Sequence, residues 1–291
     1  MQVVGRSEGP GRMARRSLGE RNWQPALVAF CSLVFLFLVL PIFIVIPLSF
    51  SSAPYLTFPP PGFSLRWYRS YLFREQWRDA TVLSVQVALL TTVLATVLGT
   101  LAAFALARGR FPLKRLVSAF LISPMIVPVI IMAIAVYFLF ARLQLIGTAL
   151  GMVLAHTVLA LPFVIVTVSA TLKGFDRTLE HAARTLGAGS LQTFFRVTLP
   201  IIQPGVISGA LFAFITSFDE VVISIFISGT SAITLPKQMW DGIRTELDPT
   251  IAAVSALLIT MSTCLLLALA LLARRTARLR AGSIRGGSGE P

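Results

Sequence analysis

Six long runs of apolar residues, separated by short charge-bearing segments, organise this 291-residue chain. Five of the runs contain no Asp, Glu, Lys or Arg, and the remaining one is interrupted only by Asp219 and Glu220. A helix needs about 20 residues to cross the roughly 30 Å of hydrocarbon in a bilayer, and each run provides that length. The runs are residues 25–54, 80–107, 116–140, 143–172, 200–236 and 249–273.

Helices fit these runs better than barrel strands, which are about ten residues long with alternating polarity. Composition agrees, because 56% of the residues are hydrophobic, 13% are charged and the mean hydropathy is +0.83. We therefore predict an all-α membrane protein with six transmembrane helices. Prolines inside the runs remove backbone donors that lipid cannot replace, which predicts a packed bundle with an internal path, and small residues predict close helix approach. The positions are Pro124, Pro128, Pro162, Pro204, Gly99, Gly205 and Gly209.

The positions of the basic residues along the chain explain its net charge of +13. Lys and Arg lie at the ends of the apolar runs, which indicates membrane orientation and argues against nucleic-acid binding. With the amino terminus in the cytoplasm, 18 of the 25 Lys and Arg residues fall on the cytoplasmic side. We expect cytoplasmic tails at residues 1–24 and 274–291, the latter Gly/Ser-rich and disordered, flanking a membrane domain at 25–273 that contacts lipid.

One amphipathic segment, at residues 173–199, separates the fourth and fifth runs. The stretch from Leu179, inside this segment, to Pro200, one residue after it, reads LEHAARTLGAGSLQTFFRVTLP. The spacing predicts a helix of two or three turns with one apolar face, stopped by Gly187 and followed by a new helix at Leu199 and Pro200. So short a helix needs a partner surface, which is either this protein's own face or another protein. The apolar face comprises Leu179, Ala182, Ala183 and Leu186.

This segment resembles the cytoplasmic coupling loop of permease subunits of bacterial ABC importers. The match covers two alanines, a glycine four residues later and a Val-x-Leu-Pro ending, and it extends with the apolar runs over residues 80–273. The resemblance implies the type I ABC-importer permease fold in the bacterial inner membrane. It also implies two ATP-binding subunits, a second homologous permease subunit and an extracytoplasmic binding protein as partners. The implied ATPase-coupling residues are Glu180, His181, Ala182, Ala183, Leu186, Gly187, Leu199 and Pro200.

His181 departs from this family pattern, which usually has Glu at that position. Glu180 lies one residue away and could supply the missing charge. A shift of one residue rotates a side chain by about 100° around a helix, so the two positions are not equivalent.

Asp219 and Glu220 are adjacent acids within an otherwise apolar run. Acids in a membrane are costly and usually face a cavity, a partner or a transport path. The region SFDEVVISIFISG resembles the fifth span of spermidine/putrescine permeases, and a cationic solute would suit carboxylates on its path. Trp240 and Asp241 are further candidates on the outer side, through a cation–π contact and a charge. The alternative is that the span ends near Phe218 and both acids are solvated.

Other chemistry is not indicated by the sequence. Cys31 and Cys264 lie within apolar runs, which argues against a disulfide or a metal site, and no cofactor is expected. There is no phosphate-binding GxxxxGK[ST] motif and no catalytic motif, so we expect a transport subunit whose energy comes from a partner. Two alternatives remain: a permease of the same fold for another solute, such as a cationic amino acid or opine, and a secondary transporter or channel acting alone.

Overall fold

The computed structural model describes residues 23–245 and 248–264, together with residue 267. All of the regular structure in that part of the chain is helical, apart from one isolated antiparallel bridge between Ser51 and Phe63. The first six helices are α1 (Gln24–Ser49), α2 (Arg66–Phe73), α3 (Glu75–Arg108), α4 (Lys114–Ile122), α5 (Val129–Arg142) and α6 (Ala149–Lys173). The others are α7 (Thr178–Thr185), α8 (Ser190–Thr193), α9 (Leu199–Phe218), α10 (Val222–Ile227), α11 (Leu235–Thr245) and α12 (Thr250–Cys264).

Four stretches of helix within the described residues are long and apolar enough to cross a membrane. They are Pro25–Ser49, Glu75–Arg108, Ala149–Lys173 and Ser190–Phe218. The third predicted span is broken instead, because the Lys114–Met125 and Val129–Arg142 helices meet at 102°. The prediction of six spans therefore stands at four or five in this part of the chain. The helix described in the sixth run, α12, has 15 residues, and residues 265, 266 and 268–273 of that run lie outside the described residues.

The break in the third run follows from its two prolines. Pro124 lies in a 3-10 turn at Ser123–Met125, and Pro128 precedes the first residue of α5 with ψ of 128°, which is outside the helical region. A proline removes a backbone donor and disfavours helical geometry in the residue before it, so α4 and α5 cannot form one straight helix.

The centre of the bundle is α6. Within an apolar stretch of 18 residues in each helix, 61% of the residues are buried in α6, compared with 39% in α3, 28% in the helix that includes α9 and none in α1. Both α3 and α9 approach α6 through glycines, as the sequence predicts. A Cβ at Gly99 would lie 2.7 Å from the Val164 side chain, and one at Gly209 would lie 2.7 Å from Thr167 Oγ1 and 3.1 Å from Val164 Cα.

The first helix, α1, stands apart from this core. No residue in its apolar 18-residue stretch is buried against the described part of the chain, whereas its last residue, Ser49, is buried and forms a 2.8 Å hydrogen bond with the Tyr68 hydroxyl in α2. An apolar helix of this length is stable in lipid or against another membrane subunit, because either environment accepts its exposed leucines and phenylalanines.

The close approach of α9 to α6 gives a direct test. Gly209→Val places a branched side chain against the α6 backbone, so we expect a loss of about 1–3 kcal/mol in the free energy of unfolding. The matched control is Gly189→Val, since Gly189 has an extended backbone and a Cβ added there would have no atom within 4 Å. Thermal unfolding of the purified protein in detergent would contradict this packing if both variants melted at the wild-type temperature.

Candidate functional site

The segment between α6 and α9 folds into the short helix that the sequence predicts. In the turn before α7, Asp176 accepts hydrogen bonds from the Thr178 backbone N–H at 2.9 Å and from the Thr178 hydroxyl at 2.7 Å. These two hydrogen bonds, the one from the hydroxyl more than the one from the N–H, hold the pKa of Asp176 below its usual value. At the other end Gly187 has φ of +88°, a left-handed conformation that ends the helix and favours glycine.

The outer side of this segment exposes an apolar surface. Leu186 is 89% exposed, Leu191 is 76% exposed, and Leu179, Ala182 and Phe195 are also exposed. We call these five residues the α7–α8 surface. Leu186, at the end of α7, is therefore almost completely uncovered by the described part of the chain, whereas Leu179 is 46% exposed. Ala183 is half-buried, and Gly187 is exposed at the end of the helix.

The inner side of α7 carries Glu180. Its Oε1 atom accepts hydrogen bonds from Arg108 Nη2 at 3.2 Å and from Thr198 Oγ1 at 3.0 Å, and its side chain is 12% exposed. The carboxylate is therefore engaged within the chain in this arrangement, and the expectation that Glu180 offers its charge to another protein stays a prediction. His181, about 100° further around the helix, is exposed and remains available to a partner.

The chain enters α9 through a stretch that sequence analysis missed. Residues Phe194–Thr198 form a π-helix, and α9 then begins at Leu199 with Pro200 in its first turn. Leu199 packs against the core cluster around α6, whereas Pro200 is exposed. A π-helical turn carries no residue signature in this sequence that distinguishes it from the α-helix it interrupts.

Asp219 and Glu220 lie in a break between helices and not within one continuous helix. The fifth predicted run therefore ends as a straight helix at Phe218, where α9 stops, and α10 starts at Val222. The Glu220 Oε1 atom accepts the Ile223 backbone N–H at 2.9 Å and caps α10, whereas Asp219 is exposed. Glu220 is half-buried, so the two carboxylates differ in their access to a solute.

A buried polar cluster adjoins this break. His156 of α6 forms a 3.0 Å hydrogen bond with the Ser217 hydroxyl of α9 and a 3.5 Å contact with the Ser224 hydroxyl of α10. The Ser224 hydroxyl also donates to the Glu220 carbonyl at 3.0 Å. This cluster joins three helices directly beside the two acids, and it accounts for the only histidine within the apolar runs as a helix–helix contact.

The two outer candidates are already engaged by cations of their own helix, α11. The Asp241 carboxylate is paired with Lys237, and the Arg244 guanidinium lies 5.1 Å from the centroid of the Trp240 ring. Both contacts join residues four apart on one helix face. Both residues therefore already contact a cation, whereas no Lys or Arg among the described residues forms an ion pair with Asp219 or Glu220.

The fold and the site together define a multi-spanning helical membrane protein with an exposed apolar surface at one end of its bundle. Residues 95–278 match the family model described as the binding-protein-dependent transport system inner membrane component. The chain belongs to this family, whose members are transport subunits and not enzymes.

Relatives align with most of the chain. It is 36% identical over 250 residues to the spermidine/putrescine transport system permease protein PotC of Haemophilus influenzae, covering 85% of this chain and 96% of that protein. Identity to the putrescine permease protein PotI of Escherichia coli is 36%, covering 81% and 86%. Identity to the trehalose permease protein SugB of Mycobacterium tuberculosis is 29%, covering 75% and 81%.

Solved structures agree on the fold. A bacterial ABC transporter involved in alginate import superposes with a TM-score of 0.68 at 15% identity, over 89% of this chain and 98% of that chain. The MetNI methionine ABC transporter superposes with a TM-score of 0.51 at 21% identity, over 71% and 99%. The predicted all-helical ABC-importer permease fold is thereby confirmed.

The difference between the buried inner side and the exposed outer side of α7 can be tested on two threonines. Thr198 is buried beneath Glu180 and Thr185 is exposed on α7. In a variant whose Cys31 and Cys264 are replaced by serine, we expect Thr198→Cys to react with a hydrophilic maleimide at least about tenfold more slowly than Thr185→Cys, because it reacts only after local opening. Equal labelling rates in the purified protein would contradict the inward orientation of Glu180.

Proposed function

We propose that this chain is the membrane-spanning subunit of an ABC importer that carries a polyamine, putrescine or spermidine, into the cytoplasm. The observation that carries the proposal is the identity of 33–36% to PotC and PotI proteins across 81–88% of the chain. The SugB relative is a trehalose permease, so similarity to a permease of this kind does not alone choose the solute. Two adjacent acids at a helix break, Asp219 and Glu220, support a cationic one.

The α7–α8 surface is the proposed docking site for an ATP-binding subunit, with His181, Ala182, Ala183 and Gly187 at the contact. Its support is chemical: an exposed apolar surface on a short helix needs a partner. The second half of the assembly would supply another ATP-binding subunit and a homologous permease subunit, and α1, most of which is exposed, offers that subunit an apolar face. An extracytoplasmic binding protein would deliver the solute.

The proposed orientation places both termini and α7 in the cytoplasm. Arg108, Lys114, Lys173 and Arg177 flank the α7 end of the bundle, and positive charge near the ends of spans favours the cytoplasmic side. The same orientation brings α7 to the compartment that contains ATP. It also places α2, α11 and the start of α12 on the outer side, where the binding protein would dock.

Asp219 and Glu220 are proposed to meet the solute at the outer part of the path. Polyamines carry several ammonium groups, and a carboxylate in a partly desolvated site attracts a cation more strongly than one in bulk water. Asp219 is exposed and free to approach an ammonium group, whereas Glu220 also holds the start of α10. Removing the charge of Asp219 is therefore expected to affect transport without disturbing the helix break.

We expect vesicles containing the assembled transporter and its binding protein to accumulate radiolabelled spermidine or putrescine only when ATP is supplied. Asp219→Asn is expected to lower uptake about tenfold through the loss of one close charge contact, and Glu220→Gln by a similar factor. The matched control is Asp79→Asn, since Asp79 is an exposed acid at the start of α3. Uptake is measured at several solute concentrations.

Three results would overturn parts of this proposal. Uptake that persists without any ATP-binding subunit would indicate a secondary transporter or channel. ATP-driven uptake of a cationic amino acid or an opine, with none of polyamine, would change the solute. Unchanged polyamine uptake in both Asp219→Asn and Glu220→Gln would remove the acids from the path.

A further inference from the structure

A buried ion pair connects α7 to the end of α3. The Glu180 and Arg108 side chains are 12% and 13% exposed, and the Glu180 atom that accepts from Arg108 also accepts from the Thr198 hydroxyl. Phe175 covers the guanidinium, with Arg108 Cζ 5.2 Å from its ring centroid. One carboxylate oxygen therefore joins three separate segments of the chain. We call Arg108, Glu180 and Thr198 the Glu180 node.

The node links α7 to two of the helices that pack on α6. Arg108 is the last residue of α3, and Thr198 immediately precedes α9. A second tie joins α7 to α3, because Arg177 Nη2 donates to the Ala107 carbonyl at 3.4 Å. A force applied to α7 is thereby applied to the ends of α3 and α9 as well.

Fold stability alone does not account for a charged pair at this place. The cost of desolvating two charges offsets most of their attraction, and a well-packed apolar pair of similar volume commonly stabilises a protein equally well. An ion pair with hydrogen bonds adds direction, since donors and acceptor must align. In the node this fixes the rotation of an eight-residue helix whose other side is exposed.

We propose that Glu180 is a positioning residue that makes α7 move as one body with the ends of α3 and α9. Displacement of α7 by an ATP-binding subunit then becomes a rearrangement of the bundle. The inference rests on the proposed function, in which that subunit engages the α7–α8 surface. It assigns Glu180 a role within the chain, whereas the neighbouring His181 faces the partner.

Spin labels report this coupling without reference to the solute. The labels are placed at Ala105→Cys on α3 and Thr185→Cys on α7, both exposed, in the assembled transporter lacking Cys31 and Cys264. Pulsed electron paramagnetic resonance should give one narrow distance distribution that ATP leaves unchanged. Glu180→Gln removes the charge that holds Arg108, so its distribution should broaden and shift on addition of ATP.

Coupling is then measured as spermidine transported per ATP hydrolysed. We expect Glu180→Gln and Arg108→Gln each to lower this ratio by about tenfold, and the double variant to be no worse, because both changes remove one shared contact. Arg184→Gln, which removes an exposed charge from α7, is the matched control and should leave the ratio unchanged. If Glu180→Gln does not assemble, Glu180→Asp keeps the charge, shortens its reach and should show the same loosening.

Equal falls in transport and hydrolysis for Glu180→Gln, with an unchanged label distance, would overturn the inference, because a purely structural defect acts in that way. A label distance that already changes with ATP in the otherwise unmodified chain would also overturn it. Absence of spermidine uptake by the unmodified transporter would instead contradict the proposed solute, and the label distances would still decide the role of Glu180.

Discussion

The close packing of α3 and α9 against α6 is the constraint on which the rest of the molecule depends. Lipid tails are as apolar as leucine, so helices in a bilayer associate through van der Waals contact and hydrogen bonds, and contact requires small residues where backbones meet. These small residues are Gly99 of α3 and Gly205 and Gly209 of α9, each of which lies against α6. The hydroxyls of Thr167 and Thr171, which lie opposite two of the glycines, are satisfied by carbonyls of their own helix.

This central packing determines where the two functional regions lie. At one end α6 runs through a short turn into α7, so the helix proposed to dock is anchored to the most buried element of the bundle. Further along the bundle the His156, Ser217 and Ser224 cluster ties α6 to α9 and α10 beside Asp219 and Glu220. A rearrangement that begins at α7 can reach the acids through α6 and α9 because both regions share these helices.

Hydropathy was sufficient to predict the straight spans and the all-helical class. A bilayer requires about 20 consecutive apolar residues per helix, and each of these runs has that composition. The third run was predicted as one span, because hydropathy does not register the 102° bend between α4 and α5 at Pro124 and Pro128. The inward orientation of Glu180 depends on Arg108, which is 72 residues away in the chain, and no local pattern contains it. Lys237 and Arg244 lie four residues from Asp241 and Trp240 in the sequence, so these two contacts on one helix face could have been predicted.

Site-specific photo-crosslinking from α7 tests the central claim most directly, namely that this helix is the contact between the permease and its ATP-binding subunit. A photoreactive phenylalanine analogue is introduced at Ala182 on the α7–α8 surface, or at Val97, which is exposed on α3 within the membrane. Illumination of the assembled transporter should give an adduct with the ATP-binding subunit from position 182 and none from position 97. No adduct from position 182, or equal adducts from both positions, would contradict the account.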